Sequence, residues 1–292
     1  MGYREEDGLM PPRKEPTARQ RRLGSELRKI RQRAGLSIAE AAPMLATDRT
    51  TVSNTESGRF GVSPERVRTW AEKYECTDAP YVDALAGMAA ERINGWWEDY
   101  RGELHDVALD LAELEHHAVA IRAVQFMHVP GLLQNENYIR AVYAESVPPR
   151  SPARQRRLIS HRLKRRDVLD RDNPPDCTFL VHEAALRMAF GGPEVLRAQL
   201  RSLLEESERD NVTVLVLPFS AGGIPHASSS AHYVYGPVPQ LDTVQTDTPT
   251  GSGFVDAELR LSNWRAVLDS AEGKALDPQR SRDFIDKVAQ QI

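Results

Sequence analysis

Residues 47–59 (TDRTTVSNTESGR) restrict the possible folds most strongly, because they indicate a short helix whose outer face is almost entirely polar. Thr47 or Asp48 can cap this helix by accepting hydrogen bonds from the free amides of its first turn. Gly58 can supply the left-handed residue that ends it. Val52 is its only obvious buried anchor. The pattern therefore predicts a helix that its neighbours hold at the protein surface.

Three more helices are predicted around that segment. Residues 23–34 carry leucine and isoleucine at helical spacing, with basic residues on the opposite face. Ser37 can cap the next helix, and Glu40 three residues later completes a capping box. A further helix is expected to begin at Ser63 or Pro64. The polar helix would then be the third of four.

The charge of the chain is unevenly distributed. The formal net charge is −4, yet residues 1–80 carry 15 basic and 12 acidic side chains. Between positions 10 and 35, nine basic residues are opposed only by Glu15 and Glu26. Such a local excess is the electrostatic footprint expected beside a phosphate backbone. The first helix is therefore expected to lie near nucleic acid.

Composition excludes several classes of protein. No apolar run approaches the roughly 18 residues that cross a bilayer, and no signal-peptide segment is recognisable. Cys76 and Cys177 are far apart and lack metal-ligand spacing, so we interpret both as reduced packing residues. We expect a cytoplasmic, nucleoid-associated protein with no metal site and no cofactor.

Two short helices joined by a tight turn, the second of them polar, form a helix-turn-helix. Residues 23–59 resemble the DNA-binding domain of the Xre/Cro family. The resemblance is carried by Leu27, Arg28, Arg31, Gly35, Leu36, Ser37, Ala41, Ala42, Val52, Ser53, Glu56, Gly58 and Arg59.

The resemblance implies a role for individual side chains. Arg49, Thr50 and Asn54 stand where the family reads bases, and Ser53 and Arg59 stand near the DNA backbone. The predicted DNA-binding set is completed by Arg28, Arg31 and Ser37. A structural four-helix module with a solvated polar face would show the same helical spacing. The coincidence of cap, turn glycine and basic first helix favours double-stranded DNA as the partner.

The chain is expected to contain two domains. Residues 1–18 are polar and rich in proline, which predicts a disordered tail. Residues 19–80 form the mainly α helix-turn-helix domain, with four to five helices, and residues 81–95 a linker helix. Residues 96–292 are expected to form an α+β domain in which helices cover a mixed sheet.

Short apolar segments alternate with amphipathic helices in the second domain. Strands are predicted at residues 118–124, 177–182, 212–218 and 231–235. The segment 212–218 (VTVLVLP) is almost continuously apolar, which predicts a central strand. A closing helix is expected to have Ser281 as its cap.

The second domain also resembles a known family. Residues 129–134 (VPGLLQ) resemble the uncharacterised C-terminal domain that follows an Xre-type domain in actinobacterial WhiJ-like regulators, together with Leu114-Glu115, Arg154-Gln155 and residues 182–186. The resemblance implies a transcriptional regulator, often encoded beside a small partner protein. It implies no ligand and no chemistry.

His182, Glu183 and His226 are the candidate ligand-binding residues of this domain. They could be assembled into an acid-base site, but the sequence has no nucleophile elbow and no phosphate-cradling glycine signature. Catalysis is therefore not expected. Strand ends with a few polar groups suit a ligand pocket better. For Glu183 a purely structural role is an equal alternative.

Residues 154–166 contain seven arginines and lysines and no acid. They could form a second phosphate-binding surface. We favour a solvated helix paired with acidic neighbours such as Glu205, Glu206 and Glu208.

We therefore predict a sequence-specific transcriptional regulator that reads the major groove with residues 47–57 as a homodimer. Its C-terminal domain would bind a small ligand or a partner protein. One alternative is an antitoxin-like protein that regulates its own operon while its C-terminal domain binds a small co-encoded protein. Another is an enzyme fused to a DNA-binding domain.

Overall fold

The computed structural model describes residues 15–91, 95–223, 230–248 and 251–292. The chain divides into two compact units, Met1–Arg92 and Ile93–Ile292. The expectation of a disordered tail concerns residues 1–18, of which 1–14 lie outside the described residues. For the remainder it is corrected, because Thr17 caps a helix that starts at Ala18. The first helix is thus longer than its apolar pattern predicts.

The first unit is helical. Its helices are α1 (Ala18–Arg33), α2 (Ile38–Met44), α3 (Arg49–Glu56), α4 (Pro64–Lys73) and α5 (Ala79–Ala90). The capping box of Ser37 and Glu40 is confirmed, and so are the starts of α3 at Asp48 and of α4 at Ser63. Of the two possible caps for α3, Asp48 is the one that accepts from a first-turn amide.

The core of the first unit is built from one apolar face of each helix. Leu27 of α1, Val52 of α3 and Trp70 of α4 are all at most 1% exposed. Tyr81 and Leu85 of α5 are buried as well. The segment expected to be a linker helix, residues 81–95, therefore belongs in part to α5, and one face of that helix packs into the core of this unit.

The second unit combines a sheet with helices. Its helices are α6 (Asp106–His116), α7 (Glu136–Ala144), α8 (Pro152–Arg165), α9 (Glu183–Arg187), α10 (Pro193–Glu206), α11 (Glu258–Glu272) and α12 (Pro278–Gln291). Its strands are β1 (Ala120–Gln125), β2 (Asp176–His182), β3 (Val212–Leu217), β4 (Ala231–Tyr235), β5 (Thr243–Thr248) and β6 (Gly251–Val255). A 3₁₀ turn, Trp96–Tyr100, precedes them.

The six strands form one mixed sheet in the order β3-β2-β1-β4-β5-β6. Strands β1 to β3 are parallel, and β4 to β6 are antiparallel to their neighbours. One face carries Phe179 and packs with Leu200 of α10 and Ile285 of α12. The opposite face carries Leu180 and packs with Leu268 of α11. The predicted fold class, a helical domain followed by an α+β domain, is confirmed.

The cysteines fit the interpretation drawn from their spacing. Both are free thiols; Cys177 is buried in β2 and Cys76 is half-buried. Burial raises the pKa of the Cys177 thiol to about 12, so this group stays protonated at neutral pH.

Strand β3 is an edge strand, so the prediction of a central position is wrong. Its side chains are apolar throughout because helices cover both faces of the sheet. The outer edge is also covered: Val216 N donates to Ser281 Oγ at 2.9 Å, and Leu276 N donates to Val216 O at 2.8 Å. Ser281 is thus a buried bridge to the strand. The cap of α12 is Asp277 instead.

Candidate nucleic-acid interface

The start of α3 is fixed by its cap. Asp48 Oδ1 accepts from Thr51 N at 2.8 Å, and Asp48 Oδ2 accepts from Thr51 Oγ1 at 2.7 Å. These bonds, the side-chain one first, lower the pKa of Asp48, so the carboxylate stays charged. A negative charge at this end also suits the helix dipole. The first turn of α3 is therefore well defined.

Two glycines let α3 approach α1 closely. A Cβ atom on Gly24 would stand 2.6 Å from the carbonyl oxygens of Thr55 and Glu56, so only glycine fits where the two helices meet. Gly58 follows α3 with a φ of +76°. A Cβ atom there would lie 2.8 Å from the carbonyl oxygen of Gln20. The close contact between α1 and the end of α3 thus requires a glycine on each side, Gly24 and Gly58.

A buried ion pair joins the same two helices and corrects one predicted DNA contact. Arg31 Nε donates to Glu56 Oε1 at 2.6 Å, and Arg31 Nη2 donates to Glu56 Oε2 at 2.8 Å. Its third nitrogen, Nη1, donates to Leu36 O at 2.6 Å. Arg31 is 5% exposed, and the bond to Glu56 raises the pKa of its guanidinium. Arg31 therefore holds α3 in place and is not available to a phosphate.

Arg28 and Ser37, the remaining candidates that precede α3, are accessible. The Arg28 side chain is 47% exposed and only approaches Glu56, at 3.4 Å. Ser37 is exposed, and its hydroxyl accepts from Glu40 N at 3.3 Å. The hydroxyl also hydrogen-bonds to the Glu40 carboxylate, and this bond lowers the pKa of Glu40.

The outer face of α3 carries the predicted base-reading residues. Arg49, Thr50 and Ser53 are exposed, and Asn54 is half-buried. Arg59 is exposed just beyond the end of the helix. Neither Arg49 nor Arg59 has a carboxylate partner within the described part of the chain. Because positions 49, 50, 53 and 54 are one and four residues apart, their side chains share one face of the helix.

Reasoning from sequence missed the roles of Glu56 and Gly24. A signal for Glu56 was present: it lies four residues after the buried Val52, and Arg31 lies four residues after the buried Leu27. Each charged residue therefore lies on the core-facing side of its helix. The pair can be found when both helices are considered together. Gly24 gives no comparable signal, because a close backbone approach leaves no trace in periodicity.

The residues proposed for a ligand pocket are engaged in structural contacts. His182 caps α9, with Nδ1 accepting from Ala184 N at 3.2 Å. Glu183 is 8% exposed and accepts from Phe219 N at 2.9 Å and from Arg187 Nε at 2.8 Å. The structural alternative for Glu183 is thus the one the geometry supports. His226 lies outside the described residues.

The basic segment 154–166 forms most of α8, and several of its cations meet carboxylates. Arg165 makes two bonds to the buried Glu115, at 2.6 and 2.7 Å, and Arg157 pairs with Glu103. Arg166 pairs with Glu206, one of the three acids named as possible partners. These pairs match the favoured interpretation of a helix neutralised by acidic neighbours.

Comparison with known families identifies both units. A family model described as a helix-turn-helix domain matches residues 22–84. A second, described as a domain of unknown function (DUF5753), matches residues 108–287, which is more than half of the chain. No curated protein and no solved structure matches. Helix-turn-helix domains are DNA-binding modules. Across the described residues, no helix has the length and apolar character needed to span a bilayer.

Proposed function

This chain belongs to the DUF5753 family, and because a helix-turn-helix domain precedes the family domain, we propose that it is a sequence-specific DNA-binding transcriptional regulator. One observation carries the proposal. The outer face of α3 presents Arg49, Thr50 and Ser53 to solvent, while its inner face is fixed to α1 by the pair of Arg31 and Glu56. A rigid helix with a free polar face is what major-groove recognition requires.

The side chains on and around this face have different tasks in the proposal. Arg49 donates two hydrogen bonds to a guanine, and Asn54 makes the paired bonds that suit an adenine. Thr50 lies beside them on the same face. Ser53 and Arg59 contact phosphates and fix the register of the helix along the groove. Arg28 and Ser37 add contacts to the DNA backbone.

The assignment of each unit to a particular group of regulators rests on the resemblances in the sequence. The resemblance of residues 23–59 supports assigning the first unit to the Xre group, and the resemblance of residues 129–134 supports grouping the second with the WhiJ-like regulators. The protein acts at the nucleoid in the cytoplasm and binds DNA as a homodimer. Residues 93–292 regulate this binding in response to a small ligand or a partner protein.

The proposal assigns no catalytic role to His182 or Glu183. Its support is that both side chains already serve the local fold, His182 as a helix cap and Glu183 as acceptor for Phe219 N and Arg187. Neither is free to exchange a proton with a substrate without disturbing those bonds.

The test is to select the preferred DNA sequence with the full chain and then to measure affinity for variants. We expect Arg49→Ala and Asn54→Ala each to lose about 1–3 kcal/mol for the selected site and to relax the preference at one base pair. Arg68→Ala is the matched control, because this exposed arginine of α4 already pairs with Asp83. Unchanged affinity and unchanged sequence preference in both test variants would contradict the proposal.

A further inference from the structure

Arg162 differs from most of the other cations of α8. Arg157 and Arg165 each bond to a glutamate, Lys164 pairs with Asp167, and Arg166 just beyond the helix pairs with Glu206. Arg162 has no carboxylate and no hydrogen-bond acceptor among the described residues, and neither has Arg156, which is exposed and can be hydrated. Arg162 is half-buried, and its Nε is shielded from solvent without an acceptor. A guanidinium in that position is incompletely satisfied.

The surroundings of Arg162 concentrate positive charge beside aromatic rings. Its guanidinium carbon lies 5.4 Å from the centre of the Tyr143 ring, and the guanidinium of Arg150 lies 5.3 Å from the same ring. Gly131 begins a second 3₁₀ turn, Gly131–Leu133, and brings its backbone alongside, since a Cβ atom on Gly131 would stand 3.6 Å from Arg162 Nη2. Two guanidinium groups thus lie near the same tyrosine ring, and the backbone of a glycine borders one of them.

None of the adjacent described side chains forms an ion pair with Arg162. The ring of His128 is stacked on Phe190, with centres 4.8 Å apart. Burial first, and then the charge of Arg162, lowers the pKa of His128, which keeps the imidazole neutral at pH 7. The nearby carboxylate of Asp247 accepts from Gln245 Nε2 at 2.6 Å and from Ser252. Glu115 is already ion-paired with Arg165.

From this arrangement we infer that Arg162 binds the oxyanion of a small molecule, at a site bordered by Tyr143, Arg150, Gly131 and His128. A planar guanidinium recognises a carboxylate or a phosphate through paired hydrogen bonds. Arg162 keeps part of its surface in solvent, so an anion can reach it. The inference rests on the regulatory ligand of the proposed function, to which it gives a place and a chemical class.

Binding is tested with the full chain by titration calorimetry, using sodium benzoate and inorganic phosphate in separate experiments. Benzoate presents a carboxylate on an aromatic body, and phosphate presents an oxyanion alone. We expect saturable binding of at least one of them and a loss of affinity of at least tenfold in Arg162→Gln. Arg156→Gln, the exposed arginine on the same helix, is the matched control and should bind as the unaltered chain does.

Arg162→Lys separates recognition from folding, because it keeps the charge but loses the planar fork. It should bind more weakly than the unaltered chain and more tightly than Arg162→Gln. Equal affinity in all of these proteins, or no saturable binding of either anion by the unaltered chain, would overturn the inference. DNA affinity is measured in parallel on the same proteins. If the unaltered chain binds DNA but neither anion, this site alone is rejected; if the unaltered chain does not bind DNA, the proposed function is rejected.

Discussion

His161 of α8 is a histidine held in an apolar and aromatic environment. It is 4% exposed, and its ring centre lies 5.2 Å from that of Trp96 and 5.1 Å from that of Tyr100. Burial, followed by the charge of Arg165, lowers its pKa from 6.5 to about 4. The neutral imidazole is therefore the form that the folded chain accepts. The unfolded chain binds a proton more readily than the folded chain does.

This difference in pKa makes stability depend on pH. The stabilisation is fully present above pH 6.5, the unfolded value, and is lost as the pH falls towards 4. Between pH 7 and pH 5 we expect His161 to remove about 2 kcal/mol from the free energy of unfolding of its unit. Urea unfolding at the two pH values measures this. His161→Phe should show a smaller dependence on pH; an identical dependence would contradict the assignment.

Arg31 and Arg49 show what a single sequence can predict about individual residues. Helical spacing brought Arg49, Thr50 and Ser53 to one face, and the structure exposes all three. The same reasoning placed Arg31 on the DNA side, because charge alone suggests exposure. Its burial depends on Glu56, which is 25 residues away in sequence. Pairing between two helices is a tertiary property, so no pattern within one helix contains it.

At the scale of elements, glycine ends both α1 and α3 but for different reasons. Gly35 has a φ of +72° and nothing within 4 Å of the position of a Cβ atom. Gly58 has a φ of +76°, and its Cβ position lies 2.8 Å from Gln20 O and 2.9 Å from the Cα of Arg21. Gly35 therefore meets only a conformational requirement. Gly58 also allows the end of α3 to touch the first turns of α1.

These two glycines form a matched pair of mutations. Gly35→Ala should cost about 1–2 kcal/mol, the penalty for an L-residue in the left-handed region. Gly58→Ala should cost at least about 1 kcal/mol more, because backbone atoms that have little room must move. Thermal unfolding of the two variants measures the difference. If Gly58→Ala were no less stable than Gly35→Ala, the close approach of α3 to α1 would be disproved.

The strands show where sequence patterns carry information and where they do not. The apolar run of β3 identified a strand but suggested the centre of the sheet, whereas its covering comes from helices and from Ser281. Strand β6 was not recognised, since Gly251 and Gly253 give it no β-prone pattern. Strand β6 is formed through its antiparallel pairing with β5. Position within a sheet depends on distant neighbours, which local propensity does not encode.

At the scale of the whole molecule, the charge and the proposed partner oppose each other. The chain carries a net charge of −4, and a DNA duplex is a dense array of negative charge. Binding must therefore depend on the local surface of the first unit. The accessible arginines there include Arg28, Arg49 and Arg59. The contacts that the proposal assigns to these three arginines supply only part of the electrostatic free energy that specific binding requires.

Two protomers acting together would double the number of arginines that contact DNA. Helix α3 has eight residues, and the four side chains proposed to contact DNA are enough to read only a few base pairs. Dimeric helix-turn-helix proteins bind two half-sites about 10 base pairs apart, so that both recognition helices enter the groove on one side of the duplex. We therefore expect the selected DNA sequence to be an inverted repeat with about this spacing.

The spacing provides the sharpest measurement of this expectation. Inserting about 5 base pairs between the half-sites turns one of them to the opposite side of the duplex and should lower affinity at least tenfold. Inserting about 10 restores the alignment and should recover part of the loss, which controls for length. Light scattering on the protein–DNA complex should give two protomers per site. Equal affinity for a single half-site and for the full repeat, with one protomer bound, would show that the chain recognises DNA as a monomer.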